Sequence, residues 1–253
     1  MIQLYDKNSI QENSALLEEW EQSAFHLLAT KMTDREKPFP CIPAHQGFML
    51  NHLRYAFLGD PRASATHKDL AALLKSYSEC SRQTGKHASL IVFFKTPADL
   101  VQTHNIKDYE RLFWSLLNGT SKLDEKEWPS HIPPNPAHHA WEFCFHQEQY
   151  FVYCATPGHV MRKSRSFPFF MLAITPRWVL EEFSAAVKTA SKVKQSIRER
   201  LTAYDEVPPH SDLKWYGQSD NYEWKQYFLT DDDTSSSSCP FARYWKANQD
   251  NCP

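Results

Sequence analysis

The chain has 253 residues, enough for one large domain or two small ones, and enough to bury a core without disulfides or a structural metal. Its 28 Lys and Arg against 30 Asp and Glu leave a net charge of −2, which argues against a nucleic-acid partner and against a polybasic membrane-surface protein. Aromatic residues make up 14 % of the chain, too many for a disordered polymer.

Met1-Ile2-Gln3-Leu4-Tyr5-Asp6 has neither a basic start nor an apolar run before a small-residue cleavage site, so no signal peptide is expected and the reading is cytoplasmic. Ser9-Ile10-Gln11-Glu12 reads as a capping box opening a helix that runs to about Lys31, with Leu17, Trp20, Ala24 and Leu27 at helical spacing. Leu53 to Phe57 reads as a short strand, and Asp69 to Arg82 as a helix stopped by Gly85. Ser89 to Phe94 is an apolar strand with both faces expected buried. Pro97 suits a first helical position, and Asp108 to Asn118 predicts a helix ended by Gly119. A proline-rich connection, Trp128 to Pro136, follows.

Trp141 to His146 and Tyr150 to Ala155 alternate in period two and read as a hairpin joined by Gln147-Glu148-Gln149. Phe169 to Thr175 is a further strand, and Pro176 opens a long helix to about Tyr204. The segment from Trp215 to Phe228 is too aromatic for a linker, and residues 230–238 read as an exposed loop. Strands and helices do not alternate strictly. The expectation is therefore one α+β domain over residues 1–253 with a mostly antiparallel sheet.

The six glycines lie at least twelve positions apart. A dinucleotide-binding turn, a P-loop and a hydrolase nucleophile elbow each need closely spaced glycines, so all three are excluded. The six cysteines are scattered without a C-x-x-C pair, which argues against structural zinc and for free thiols. His138 and His139 are adjacent and would point to opposite faces of an extended segment, a poor arrangement for one metal.

His159 is the most suggestive histidine. It follows a strand through Thr156-Pro157-Gly158, and Arg162 and Arg165 come just after it. An imidazole can ligate iron and nearby arginines can pair with carboxylates such as haem propionates. The plainer reading, a surface turn with a solvated basic run, is favoured by composition alone. Cys41, between Pro40 and Ile42-Pro43, is the rival ligand, its plainer role being a small buried apolar residue. Glu142 stands between Trp141 and Phe143. Alternation would turn it to solvent; held inward, it would pair with a guanidinium bidentately. Asp220, Glu223 and Trp224 form a second carboxylate-plus-aromatic cluster with the same two readings.

An ordered set of motifs resembles the YqcI/YcgG family. It comprises Phe39-Pro40-Cys41, Leu53-Arg54-Tyr55, Trp141-Glu142-Phe143 and Phe151-Val152. It continues with Thr156-Pro157-Gly158-His159, Arg162 through Arg165 and Pro176-Arg177-Trp178-Val179. It closes with Tyr216-Gly217, Glu223 through Leu229 and Cys239-Pro240-Phe241. The set spans about residues 37 to 241; the family usually has Ala where this chain has Gly158. The family includes haem-dependent N-hydroxylases of guanidine groups, some acting on L-arginine. The resemblance therefore implies bound haem b, a small guanidine substrate, and either O2 with an external reductase or peroxide as oxidant. It carries the Thr-Pro-x-His histidine onto His159 as the proximal iron ligand. From charge we add Arg162 and Arg165 as propionate partners, with Arg54 and Arg177 behind them, and Glu142 as the group that orients the guanidine. A haem sensor or carrier without turnover and a cofactor-free binder of a small cation remain as alternatives. A homodimer through an exposed aromatic C-terminal segment is a further expectation.

Overall fold

The computed structural model describes residues 3–185, 187–215 and 218–241, and of 187–190 the backbone alone. Of the motifs above, Tyr216-Gly217 lies outside these residues. The capping box forms one turn earlier than the sequence reading put it. The Ser9 amide donates to Asp6 Oδ1 at 2.7 Å and the Asp6 amide to Ser9 Oγ at 2.9 Å, opening α1, Lys7–Glu12. A second box between Glu18 and Glu21 starts α2, Glu19–Thr33. Two helices therefore stand where one was expected.

Helix α3, Ile42–Met49, precedes strand β1, Leu53–Leu58. Strand β2, Ser89–Phe94, pairs with β1 in parallel. A parallel pair cannot be closed by a tight turn and needs a crossover, which α4, Ser64–Cys80, supplies. Gly85, with φ of +119°, turns the chain out of the 3₁₀ extension of α4, where a side chain would collide with the His52 ring. Pro97 caps α5, Ala98–Thr103, and α6, Ile106–Ser121, runs through Gly119 rather than ending at it.

The hairpin is tighter than expected. Strands β3, Phe143–Phe145, and β4, Glu148–Ala155, meet at His146 and Gln147, both with positive φ (52° and 63°), as a two-residue turn matched to strand twist requires. Strand β5, Met171–Pro176, completes the sheet in the order β1-β2-β5-β4-β3, antiparallel except for β1 and β2. This is the α+β fold with a mostly antiparallel sheet that the element pattern predicts.

Alternation along the strands builds two cores. Ala56, Leu90, Val92, Leu172 and Val152 pack on α4 and α6. Tyr55, Ile91, Phe93 and Met171 face Phe25, Leu28 and Met32 of α2. Strand β2 is buried on both faces, as its unbroken apolar run predicts. The long helix expected after Pro176 is divided into α7, Arg177–Ala185, and α8, Val187–Tyr204. Helix α9, Glu223–Tyr227, follows. Its Trp224 and Tyr227, with Phe228, join the α4–α6 core, so these aromatics pack on the body instead of forming an outer face. No described helix is long and apolar enough to cross a membrane.

Candidate functional site

The loop after β4 is buried, not a solvated turn. His159 is 1 % exposed, Arg162 2 % and Arg165 4 %. Thr156 Oγ1 lies 2.8 Å from His159 Nδ1, and His159 Nε2 lies 2.8 Å from the Leu229 carbonyl oxygen. A carbonyl only accepts, so Nε2 carries the proton and Nδ1 receives the Thr156 hydroxyl. Thr156 Oγ1 in turn accepts from the Gly158 amide at 3.2 Å. Burial holds the imidazole neutral, its pKa lowered to about 4. Both ring nitrogens are thus engaged within the fold, and Phe228 covers the ring at 5.3 Å. Gly158 has no space for a side chain: a Cβ would lie 2.7 Å from Tyr109 Cδ2.

The two arginines of this loop hold backbone. Arg162 donates from Nε to the Thr230 carbonyl at 2.9 Å and from Nη1 to that of Pro208 at 3.2 Å, with Asp205 at 3.7 Å. Arg165 donates to the carbonyls of Cys154, Tyr227 and Gln226 at 3.3, 2.7 and 2.7 Å, and its guanidinium lies 4.2 Å over the Tyr153 ring. Asp231 completes the clasp by accepting from the amides of Val160, Met161 and Arg162. Arg54 donates to the carbonyls of Asn51 and Leu53. In this structure the donors named here go to backbone carbonyls, which the arginines satisfy from within the fold.

Glu142 is 1 % exposed, which overturns the solvent-facing reading. It is paired with Arg177 at the start of α7. An internal guanidinium thus sits where a guanidine substrate was expected. Burial and the neighbouring carboxylates Glu223 and Glu181 push the Glu142 carboxyl upward.

A cavity of about 370 Å³ lies on the α2 face of the sheet, arched over by α7 and α8. The volume is that of a small-molecule or cofactor site. Its wall is apolar and aromatic, with Leu28, Met32, Phe39, Ile91, Phe151, Phe167, Phe183 and Ile197 prominent. Cys41, the N-cap of α3, lies in this wall. Burial raises its thiol pKa, and the Ala44 amide acts against that shift. Lys31, Lys194, Arg198 and Lys214 supply cationic lining. Lys31 donates to the Lys163 and Ser166 carbonyls at 2.9 and 2.8 Å, and burial brings its pKa down to about 8. Lys194 lies 4.7 Å over the Trp215 ring.

Glu223 is the acidic residue lining the cavity. It is 5 % exposed and accepts from Asn221 Nδ2, which is itself linked to Gln226 at 2.8 Å. Burial raises its pKa to about 7, with Arg177 and Lys194 acting against the shift. No cation among the described residues reaches it as an ion pair. Asp220, its neighbour in the sequence cluster, is exposed and paired with Lys214 at 2.9 Å.

The structure therefore separates the expected site residues. Cys41 lines the cavity, whereas His159, Arg162, Arg165, Arg54 and Glu142 do not. Sequence reasoning missed the cationic lining from α2 and α8. Its one signal was the basic late half of the helix after Pro176. Among the described residues, no three His, Cys, Asp or Glu side chains converge to hold a bare metal ion.

The chain is 50 % identical over 239 residues to the uncharacterized protein YcgG of Bacillus subtilis (strain 168), covering 94 % of each chain. It is 50 % identical over 243 residues to the uncharacterized protein YqcI of the same organism, covering 96 % of each. It is 31 % identical over 229 residues to DcsA of Streptomyces lavendulae, covering 88 % of this chain and 84 % of that one. DcsA is provisionally named an N(omega)-hydroxy-L-arginine synthase. No solved structure matches. The model of the YqcI/YcgG family matches residues 28–242, a span that contains every cavity residue named above, and the chain belongs to that family.

Proposed function

We propose that this protein is a haem-dependent N-hydroxylase that converts the guanidine group of L-arginine, or of a related small molecule, to N-hydroxyguanidine. The observation that carries the reading is the cavity: an apolar, aromatic-walled chamber with a thiol in its wall and cationic residues in its lining. The similarity to DcsA supplies the reaction class.

The residues present fit a haem. Cys41 would hold the iron, the apolar wall would hold the macrocycle, and Lys194 and Arg198, which line the same cavity, would meet its carboxylates. His159, with both nitrogens hydrogen-bonded, is the poorer donor. Bound haem would supply activation of O2 or peroxide, and a thiolate ligand favours O–O cleavage. The reaction balances as guanidine, O2, two electrons and two protons giving N-hydroxyguanidine and water, the electrons coming from an external reductase. With peroxide as oxidant, guanidine and H2O2 give the same product and water.

The chain's own contribution is to exclude water, position the substrate and accept a proton. A guanidinium is a poor nucleophile, and a buried carboxylate beside the nitrogen is the group suited to take its proton. The aromatic wall keeps competing water from the reacting centre. The test is expression with a haem precursor, followed by oxidised and carbonyl-bound reduced spectra, then arginine with reductant or peroxide. A Soret band with a product one oxygen heavier than arginine is expected. A colourless protein, even after added haemin, would remove the reading. Haem uptake without product from any guanidine would leave a sensor or carrier.

A further inference from the structure

Two buried glutamates lie close enough to repel one another, Glu142 and Glu223. They are treated differently by the fold. Glu142 has a guanidinium of its own, Arg177. Glu223 lines the cavity, is 5 % exposed, and has no cation in contact among the described residues. Buried carboxylates in folded proteins are ordinarily paired. Here the protein leaves one unpaired in the wall of a cavity, beside a neighbour that shows which cation suits this setting.

We propose that Glu223 is the anchor for the guanidinium head of the ligand, with Lys194 placed to receive a carboxylate at the ligand's other end. The inference rests on the proposed function for the class of ligand and deepens it by naming the specificity-determining residue. Asn221 and Gln226 hold the anchor: Asn221 donates to Glu223, and Gln226 donates to Asn221 at 2.8 Å. That chain fixes the carboxylate's orientation without neutralising it. A guanidinium then meets a planar acceptor that suits its fork of donors. A urea of the same shape has no charge to offer and leaves the carboxylate unpaired. Lys194, held over Trp215, gives amino acids an advantage over simple alkylguanidines.

The test is calorimetric titration of the protein, as purified and after haem loading, with L-arginine, L-citrulline and agmatine. Arginine should bind at least about a hundredfold tighter than citrulline, the size expected when one partner of a buried charge pair is removed. Agmatine, which lacks the carboxylate, should fall between them. Glu223→Gln should collapse the arginine-to-citrulline ratio towards one, and Glu223→Asp should restore part of it. Loss of structure alone would weaken both ligands together and leave the ratio unchanged. Equal binding of arginine and citrulline to the wild type would overturn the anchor without recourse to any variant. An unchanged ratio in Glu223→Gln, or no binding of any guanidine, would overturn it as well. Tight, Glu223-dependent arginine binding with no hydroxylated product supports the anchor while removing the hydroxylase reading.

Discussion

At the scale of single residues, two candidate iron ligands have opposite surroundings. His159 is held by Thr156 and Leu229 in a buried pocket, whereas Cys41 borders open cavity space. Cys41→Ser should therefore abolish a thiolate-type carbonyl spectrum while leaving the melting temperature near that of the wild type. His159→Ala should do the reverse. It strands the Leu229 carbonyl and the Thr156 hydroxyl and leaves a void beside Phe228, a loss of about 2–3 kcal/mol in stability. Urea unfolding and carbonyl spectra on the same two variants check both halves. A haem spectrum that follows His159 and ignores Cys41 would reverse the assignment.

At the scale of elements, the loop after β4 is a clasp for the C-terminal arm. His159, Arg162 and Arg165 reach the carbonyls of residues 226–232, and Asp231 returns three bonds to the amides of Val160, Met161 and Arg162. The clasp positions α9, and with it Glu223, at the cavity. Asp231→Ala should lower stability by about 1–3 kcal/mol, because Asp231 is only part-buried and its hydrogen bonds are partly replaced by water. Hydrogen exchange at the three amides should rise, and arginine binding should weaken although Asp231 lies outside the cavity lining. Unchanged exchange at those amides would refute the clasp. The sequence made the elements readable here and hid their purpose. An unbroken apolar run announces β2, and period-two and helical spacing announce the hairpin and α6, because each kind of burial leaves a local pattern. The partners of Arg162 and Arg165 in the C-terminal arm are carbonyls about sixty to seventy positions away, and no local pattern encodes such a pairing. The orientation of Glu142 stayed open for the same reason: alternation describes a strand with one wet face, and Arg177, which follows Pro176 at the same end of the sheet because Phe143 pairs with Tyr150 and Tyr150 with Pro176, makes inward burial tolerable.

For the molecule as a whole, two buried groups on different sides of this clasp set opposing pH dependences. His159 has an ordinary pKa of 6.5 lowered to about 4. Its neutral form is favoured on folding, so its stabilising share is complete above pH 6.5 and is lost as pH falls towards 4. Glu223 has an ordinary value of 4.5 raised to about 7. Its protonated form is favoured, so its share is complete below pH 4.5 and is lost as pH rises towards 7. Each shift corresponds to about 3 kcal/mol, and between pH 4.5 and 6.5 the two slopes cancel. Glu223→Gln should therefore become less stable on acidification through that window relative to the wild type, and His159→Gln less stable on alkalinisation, each by about 3 kcal/mol. Parallel urea midpoints for wild type and both variants would reject the pairing. Ligand adds a third condition. A guanidinium binds the ionised anchor, so between pH 4.5 and 7 arginine must displace a proton from Glu223, against the burial that favours the protonated form and with the help of the fields of Arg177 and Lys194. The stabilisation given by a fixed arginine concentration should grow as pH rises through that range and level off above 7, and the growth should vanish in Glu223→Gln. A pH-independent effect of arginine in the wild type would place the guanidinium elsewhere in the fold.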